Sequence, residues 1–216
     1  MSTITPTELG RQLMKPDGEN GLKVAESMSV TNEKLYDFVL NHFEISDGDK
    51  ILEIGFGNGK TIPKLFAINK NINYFGVDFS ELMCREALLN NPELRTSIQI
   101  SCQNAMSMNF KNDFFDSIIT LNTVYFWENI EKQIAELKRV LRKGGILVIG
   151  YRPKSSMEKL PFTAEVFTLF EAKELRSIFV KNGFKIKNEI SNPTVVKSVD
   201  GSIIEMLDSC LVLEKI

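Results

Sequence analysis

A short apolar segment that runs directly into a glycine-rich turn constrains the fold of this chain most strongly. Residues 50–55 read Lys-Ile-Leu-Glu-Ile-Gly, and glycines recur at Gly57 and Gly59 before a helix-compatible stretch through Leu65 and Phe66. A strand, a tight turn and a helix in this order are the first half of a βαβ unit. The segment therefore predicts a parallel sheet with helices packed on its faces.

The rest of the chain repeats this alternation of apolar runs and amphipathic stretches. Further strands are predicted at residues 73–77, 97–102, 115–121, 146–151, 184–190 and 207–213. Helices are predicted from Ser80 to Leu89, over residues 131–141, and from Glu171 to the Asn182-Gly183 stop. The pattern indicates an α/β protein with a doubly wound, mostly parallel, Rossmann-like sheet, closed by an antiparallel C-terminal edge strand.

Residues 1–49 contain no strand-like run and are predicted to be helical. Asn32 is a candidate helix cap, and Leu35, Val39 and Phe43 recur at a helical period. We expect one domain overall, in which residues 1–49 form an N-terminal helical lead-in or cap and residues 50–216 form the ligand-binding domain.

Composition limits the function classes. With 216 residues, 43% hydrophobic and 25% charged, the chain is that of an ordinary globular domain. The net charge of −2 argues against a general nucleic-acid or anionic-membrane binder. The longest apolar run, residues 145–150, is too short to span a bilayer, and the first residues lack an apolar signal core. We therefore expect no membrane insertion and a cytoplasmic location.

Three widely spaced cysteines, Cys84, Cys102 and Cys210, complete the compositional argument. Their spacing matches neither a Cys-x-x-Cys pair nor a Cys/His zinc site. We expect reduced thiols and no bound metal.

The candidate binding site lies where the predicted strands end. In doubly wound sheets, ligands bind at the carboxyl ends of the strands, where the strand order reverses. Gly55, Gly57 and Gly59 would let a ligand approach bare backbone, and the following helix N-terminus favours an anionic group. Asp78 ends the second strand, where a carboxylate can accept from two ribose hydroxyls. These features indicate a nucleoside-containing cofactor, whereas the simpler alternative is that the glycines only shape a turn.

The motif also discriminates between cofactors. A dinucleotide fingerprint would place glycine at position 60, where this chain has Lys60, and the chain has an E-x-G-x-G-x-G pattern instead. Here it resembles the class I S-adenosylmethionine-dependent methyltransferases, most closely the broad small-molecule subgroup with a type-11 methyltransferase domain. The resemblance spans roughly residues 30–214 and rests on residues 51–65, 76–80, 104–119, 139–145 and 175–184.

The resemblance implies S-adenosylmethionine as cofactor and a role for each matching residue. Glu53 and the backbone of Gly55, Gly57 and Gly59 would hold the methionine moiety. Asp78 would bind the ribose, Phe79 would pack near the adenine, Asn104 and Ala105 would meet the adenine edge, and Asn122 would lie near the sulfonium. The family usually has Asp at position 104, so the uncharged Asn104 amide predicts a weaker bond to the adenine.

The implied reaction is in-line methyl transfer to a small, partly apolar molecule. Such a reaction needs placement of the nucleophile and exclusion of water more than acid–base groups. The candidate proton acceptors are Tyr125, Glu128 and His42, the single histidine, whose simpler interpretation is a surface or capping residue.

Several segments could border the methyl acceptor. Tyr125, Phe126 and Trp127 follow the fourth strand and either wall the acceptor pocket or pack the next helix against the sheet. Residues 153–170 form either a lid over the substrate or a plain surface connection. Tyr151 and Arg152, after the fifth strand, are further candidates to border the acceptor.

Two other functions compete with this hypothesis. One is a non-catalytic module that binds S-adenosylmethionine or S-adenosylhomocysteine and regulates a partner. The other is a nicotinamide-dependent oxidoreductase, which Lys60 and the lack of a Tyr-x-x-x-Lys pair at a strand end disfavour.

Overall fold

The computed structural model describes residues 4–197 and 203–216. The helices of these residues are α1 (Pro6–Met14), α2 (Gly18–Thr31), α3 (Glu33–Leu40), α4 (Ile62–Ile68), α5 (Glu81–Asn90), α6 (Ile130–Val140), α7 (Lys154–Met157) and α8 (Ala172–Lys181). The strands are β1 (Lys50–Ile54), β2 (Asn73–Asp78), β3 (Ile98–Cys102), β4 (Phe115–Leu121), β5 (Leu141–Tyr151), β6 (Phe184–Lys197) and β7 (Ile203–Lys215). None of these helices is long and apolar enough to cross a lipid bilayer.

The strands form one sheet in the order β3-β2-β1-β4-β5-β7-β6. β1 to β5 are mutually parallel, whereas β7 runs antiparallel to β5, and β6 antiparallel to β7. The predicted doubly wound α/β architecture with an antiparallel C-terminal edge is therefore confirmed. The strand order reverses between β1 and β4, which places the carboxyl ends of these two strands at the ligand-binding position of such sheets.

Alternate residues of the central strands supply two separate apolar layers. Ile51 and Val148 pack with Leu35 and Val39 of α3 on one face. Leu52 of β1 contributes to the cluster on the opposite face. Because side chains alternate across a strand, burial on both faces explains why the strands read as continuous apolar runs.

The β6–β7 hairpin is much longer than predicted. Its pairing runs from Phe184 opposite Lys215 to Lys197 opposite Ile203, but β5 accompanies β7 only as far as Tyr151 opposite Ser209. The strands predicted at residues 184–190 and 207–213 correspond mainly to the part of the hairpin that lies alongside β5. The extra residues extend past the carboxyl end of β5, where β6 and β7 pair with each other and with no third strand in the part of the chain that the structure describes.

The prediction for Asn32 needs correction. This residue stands between α2 and α3 with φ −94° and ψ −2°, and its side chain makes no capping hydrogen bond. Its Oδ1 instead accepts a hydrogen bond of 3.3 Å from Nη1 of Arg152. A long-range contact has replaced the local one.

Candidate cofactor and acceptor site

A cavity of about 940 Å³ opens at the carboxyl ends of the parallel strands, beneath the N-terminal helices. It brings together most of the residues predicted from the sequence. Those that line it are Glu53, Gly55, Gly57, Asp78, Phe79, Asn104, Ala105, Asn122, Tyr125 and Glu128. Gly59 and His42 are not among the lining residues.

The glycines of the turn after β1 have different surroundings. Gly57 has φ +59°, and a Cβ placed there would meet nothing within 4 Å, so its bare backbone faces the open cavity. Gly59 has φ +74°, and a Cβ there would lie 2.7 Å from Cβ of Ala87 in α5. Gly57 thus leaves room for a ligand, whereas Gly59 permits close packing of the turn against a helix.

His42 lies away from the other candidates. It follows α3, is half-buried, and its ring stands edge-on to Phe38 with 5.2 Å between the ring centroids. The structure therefore brings two of the three candidate proton acceptors, Tyr125 and Glu128, to the cavity, and leaves His42 outside it.

Asp78 connects the ends of β1 and β2. Its Oδ2 accepts from the backbone N–H of Gly57 at 3.3 Å, and its Oδ1 accepts from that of Ser80 at 2.9 Å. Burial raises the pKa of Asp78 to about 6, although these backbone donors lower it. Each oxygen retains a lone pair, so the carboxylate can accept further hydrogen bonds from a ligand.

Glu53 is held by two tyrosines. Tyr36 of α3 donates to its Oε1 at 3.1 Å, and Tyr74 of β2 donates to its Oε2 at 2.7 Å. Burial raises the pKa of Glu53 to about 7, opposed by these two hydrogen bonds. Sequence reasoning missed both tyrosines. The only signal was a phenol at a buried position of an amphipathic helix, Tyr36, and another in a buried strand, Tyr74.

The residues predicted near the adenine are less buried than Glu53 and Asp78. Oδ1 of Asn104 accepts from the backbone N–H of Met106 at 2.9 Å and so shapes a local turn. The carbonyl of Ala105 accepts from Nε2 of Gln133 at 2.9 Å, which anchors this loop to α6. Phe79 is 40% exposed, and its ring lies 5.4 Å from Nζ of Lys15. The Phe79 side chain is thus partly exposed at the cavity.

Strained backbone marks the end of β4. Asn122 has φ +52°, and its N–H donates to the carbonyl of Gly150 at 2.8 Å. Asparagine tolerates this left-handed conformation better than most residues, and such strain often occurs at functional sites. The geometry turns the chain from β4 into the cavity wall.

The hydroxyl of Tyr125 is occupied by the backbone of Arg152. It accepts from the Arg152 N–H, lies 3.0 Å from the Arg152 carbonyl oxygen, and is 3.3 Å from Oδ1 of Asn122. Burial raises the pKa of Tyr125 above its ordinary value. Glu128, by contrast, is exposed and makes no side-chain hydrogen bond to the described residues.

The far part of the cavity is apolar and aromatic. The rings of Phe126 and Phe167 are 4.6 Å apart, and those of Phe162 and Phe167 are 5.8 Å apart. Trp127 also borders the cavity but is 7% exposed and packs against Phe179 of α8. The aromatics after β4 therefore border the cavity, and Trp127 also packs against a helix, although this helix is α8 and not the next helix along the chain. Residues 153–170 wall the cavity through Phe162 and Phe167 and are more than a surface connection.

The N-terminal helices are fastened over the cavity by contacts that the sequence did not predict. Ser80 Oγ donates to the carbonyl of Pro16 at 2.6 Å, and Nδ2 of Asn58 donates to that of Ala25 at 3.4 Å. α1 also packs against residues 161–163, since a Cβ at Gly10 would lie 2.8 Å from the carbonyl oxygen of Phe162.

These features fit an adenosyl cofactor. The bare backbone at Gly57 leaves a space that a Cβ would partly fill, and Asp78 presents acceptor oxygens beside it. Glu53 places a second carboxyl group on the same cavity. Hydroxyl and ammonium groups are the donors that such carboxylates bind.

Comparison with known proteins agrees with this geometry. A family model described as a methyltransferase domain matches residues 52–149. The uncharacterized methyltransferase YdaC of Bacillus subtilis (strain 168) is 30% identical over 170 residues, which cover 76% of this chain and 91% of YdaC.

Two solved structures share the fold. A SAM-dependent methyltransferase from Methanosarcina mazei has a TM-score of 0.66 at 21% identity, covering 82% of this chain and 97% of that one. A geranyl diphosphate C-methyltransferase from Streptomyces coelicolor A3(2), solved with Mg²⁺, geranyl diphosphate and S-adenosyl-L-homocysteine, has a TM-score of 0.70 at 12% identity. That match covers 95% of this chain and 88% of the other. The chain described here belongs to the class I S-adenosylmethionine-dependent methyltransferases.

Proposed function

We propose that this methyltransferase acts on a small, partly apolar molecule by in-line displacement. The observation that carries the proposal is the continuity of one cavity, which is polar beside Gly57 and Asp78 and aromatic around Phe126 and Phe167. S-adenosylmethionine supplies a methyl group that its sulfonium already activates. The protein's task is therefore to orient the acceptor and exclude water.

We further propose how the chain binds the cofactor. The Glu53 carboxylate and the backbone of Gly55 and Gly57 bind the methionine moiety, with Tyr36 and Tyr74 orienting Glu53. Gly59 supports this turn through its packing against α5 and not through direct contact.

The remaining cofactor contacts are proposed from the same cavity lining. Asp78 accepts from the ribose hydroxyls, and Phe79, Asn104 and Ala105 surround the adenine. Asn122, at the end of β4, lies beside the sulfonium. Because the Asn104 amide is uncharged, its hydrogen bond to the adenine is weaker than that of a carboxylate.

The N-terminal residues 1–49 act as a cap on the domain of residues 50–216. This proposal is supported by the contacts of Ser80 with Pro16 and of Asn58 with Ala25, which join α2 and its preceding loop to the cofactor turns. A cap of this kind excludes water from the reacting groups.

Methyl transfer then needs little acid–base chemistry from the chain. Tyr125 positions the backbone after β5, since its hydroxyl is bonded to Arg152 on both sides. Glu128, at the cavity wall, is the candidate that can accept a proton from an acceptor hydroxyl or amine. His42, outside the cavity, takes no part.

The test is transfer of labelled methyl from S-adenosylmethionine to a cell metabolite extract, with the Asp78→Ala variant as control. We expect label in a small molecule with the wild-type protein and much less with the variant. No label in any metabolite, together with binding of S-adenosylhomocysteine and of a protein partner, would instead support the regulatory module.

A further inference from the structure

Arg152 is a buried cation on the wall of the cavity. It follows β5 directly, is 6% exposed, and lines the cavity together with Met157, Leu160 and Phe167. Its Nε donates to Oδ1 of Asp208 at 2.8 Å, and the Asp208 side chain is 1% exposed. Even a paired charge is costly to bury, so an ion pair on the wall of an apolar chamber indicates a binding role for the cation.

The hydrogen bonds of this guanidinium are incomplete. A guanidinium has five N–H donors. Nε donates to Asp208, and Nη1 donates to Oδ1 of Asn32 at 3.3 Å. Nη2 makes no hydrogen bond to any residue in the ranges 4–197 and 203–216. Both of its N–H groups, and one on Nη1, therefore remain for a ligand.

Three distant parts of the chain fix this group in place. Asn32 comes from the junction of α2 and α3, and Asp208 comes from the part of β7 beyond its pairing with β5. The Tyr125 hydroxyl bonds to the backbone N–H and carbonyl of Arg152. The donors are thus held in position before any ligand binds, which lowers the entropic cost of binding.

We propose that Arg152 is the anchor of an anion subsite, and that the methyl acceptor is an apolar molecule bearing a carboxylate. The planar guanidinium edge matches two carboxylate oxygens, and such charge-assisted bonds are about twice as strong as neutral ones. The aromatic wall of Phe126, Phe162 and Phe167 receives the apolar part of the same molecule. This inference rests on the proposed function, because it names the acceptor class of that site.

The experiment compares decanoate with its neutral analogue decanamide by calorimetric titration of the full chain saturated with S-adenosylhomocysteine. Wild-type protein is expected to bind decanoate about tenfold more tightly than decanamide. Asp208→Asn keeps the guanidinium and should retain that preference. The double variant Arg152→Gln/Asp208→Asn leaves no buried unpaired charge and should lose the preference, with decanamide binding changed by less than about twofold.

The outcomes separate this inference from the function on which it rests. Equal affinity for the acid and the amide in wild-type protein overturns the carboxylate assignment, as does a preference that persists in the double variant. If no alkyl carboxylate from hexanoate to dodecanoate binds, the subsite is also refuted. Titration with S-adenosylhomocysteine alone reports on cofactor binding independently, and thermal unfolding of each variant verifies that it is folded.

Discussion

The hydroxyl of Tyr36, on α3, donates a hydrogen bond of 3.1 Å to Oε1 of Glu53, near the end of β1. This bond joins an N-terminal helix to the first residue of the cofactor motif. Burial raises the pKa of Glu53 to about 7, while the bonds from Tyr36 and Tyr74 hold it lower than burial alone would. The charge of Glu53 therefore depends on residues outside the motif.

Removal of this donor should change the pH dependence of cofactor binding. In Tyr36→Phe the Glu53 carboxylate loses one hydrogen bond, so its pKa rises further above 7 and less of it is ionised at neutral pH. We expect affinity for S-adenosylhomocysteine at pH 7 to fall by roughly three- to tenfold and to recover at higher pH. Calorimetric titrations from pH 6 to 9 measure both effects.

Tyr151→Phe is the matched control, because the buried Tyr151 hydroxyl has no hydrogen-bond partner among the described residues. It should leave cofactor affinity unchanged at every pH. A Tyr36→Phe variant with the wild-type pH midpoint would argue against the role given to this hydrogen bond.

Glu53 should also make the folded protein less stable at alkaline pH. Its pKa rises from an ordinary 4.5 to about 7 on folding, so the folded state binds the proton more tightly. The associated stability is complete below the unfolded pKa and is lost as pH rises through about 7. Asp78, with a raised pKa of about 6, contributes in the same direction.

Glu53→Gln should therefore be more stable than wild type at pH 8, by about 1–3 kcal/mol, and should lose less stability between pH 5 and 8. Urea denaturation at the two pH values measures the free energy of unfolding. The variant should bind cofactor poorly, as expected where a destabilising group serves function. A Glu53→Gln protein less stable than wild type at pH 8 contradicts the prediction.

Alanine substitutions at Gly57 and Gly59 should affect cofactor affinity and stability to different extents. Alanine at Gly57 would place its Cβ in open cavity space, so cofactor affinity should fall while stability drops only by about 1–2 kcal/mol for the left-handed backbone. Alanine at Gly59 would also collide with Ala87, which adds about 1–3 kcal/mol of overpacking. Denaturation and S-adenosylhomocysteine titration of both variants test this. Equal stability losses in both variants would count against it.

Tyr125→Phe should reduce the free energy of unfolding and should leave the shape of the pH–rate profile of methyl transfer unchanged. The change leaves the buried Arg152 N–H without its acceptor, at a cost of about 1–3 kcal/mol. The exposed Glu128→Gln control should alter stability by less than about 0.5 kcal/mol. Denaturation and methyl-transfer rates over pH 6–9 measure these effects. Unchanged stability together with a changed pH–rate profile would contradict this and would instead indicate that Tyr125 is a proton acceptor.

Local patterns in the sequence were sufficient for most of the fold. The apolar runs mark the central strands because the sheet is buried on both faces there, and the stop at Asn182-Gly183 coincides with a left-handed Gly183 at φ +83°. The far part of the β6–β7 hairpin was missed. Its residues 192–197 and 203–206 lie beyond the last pair of β5 with β7, Tyr151 with Ser209, and so beyond the part of the sheet that imposes the apolar pattern.

The contacts that complete the site were not predictable from local patterns. Tyr36 and Glu53 are 17 residues apart, and Arg152 and Asp208 are 56 apart. The side chain of Asn32, which a local pattern assigns to helix capping, instead bonds to Arg152. Such pairs depend on how the N-terminal helices and the hairpin pack against the sheet.

The most direct test of cofactor binding between the glycine turn and β2 is calorimetric titration of wild-type and Asp78→Ala protein with S-adenosylhomocysteine. We predict a loss of about 1.5–3 kcal/mol, roughly ten- to a hundredfold in Kd. Asp116→Ala should bind normally, because Asp116 accepts from the Lys50 N–H at the amino ends of the strands. An unchanged Kd in folded Asp78→Ala protein, or tighter binding of NAD than of S-adenosylhomocysteine to the wild type, would contradict the proposed site.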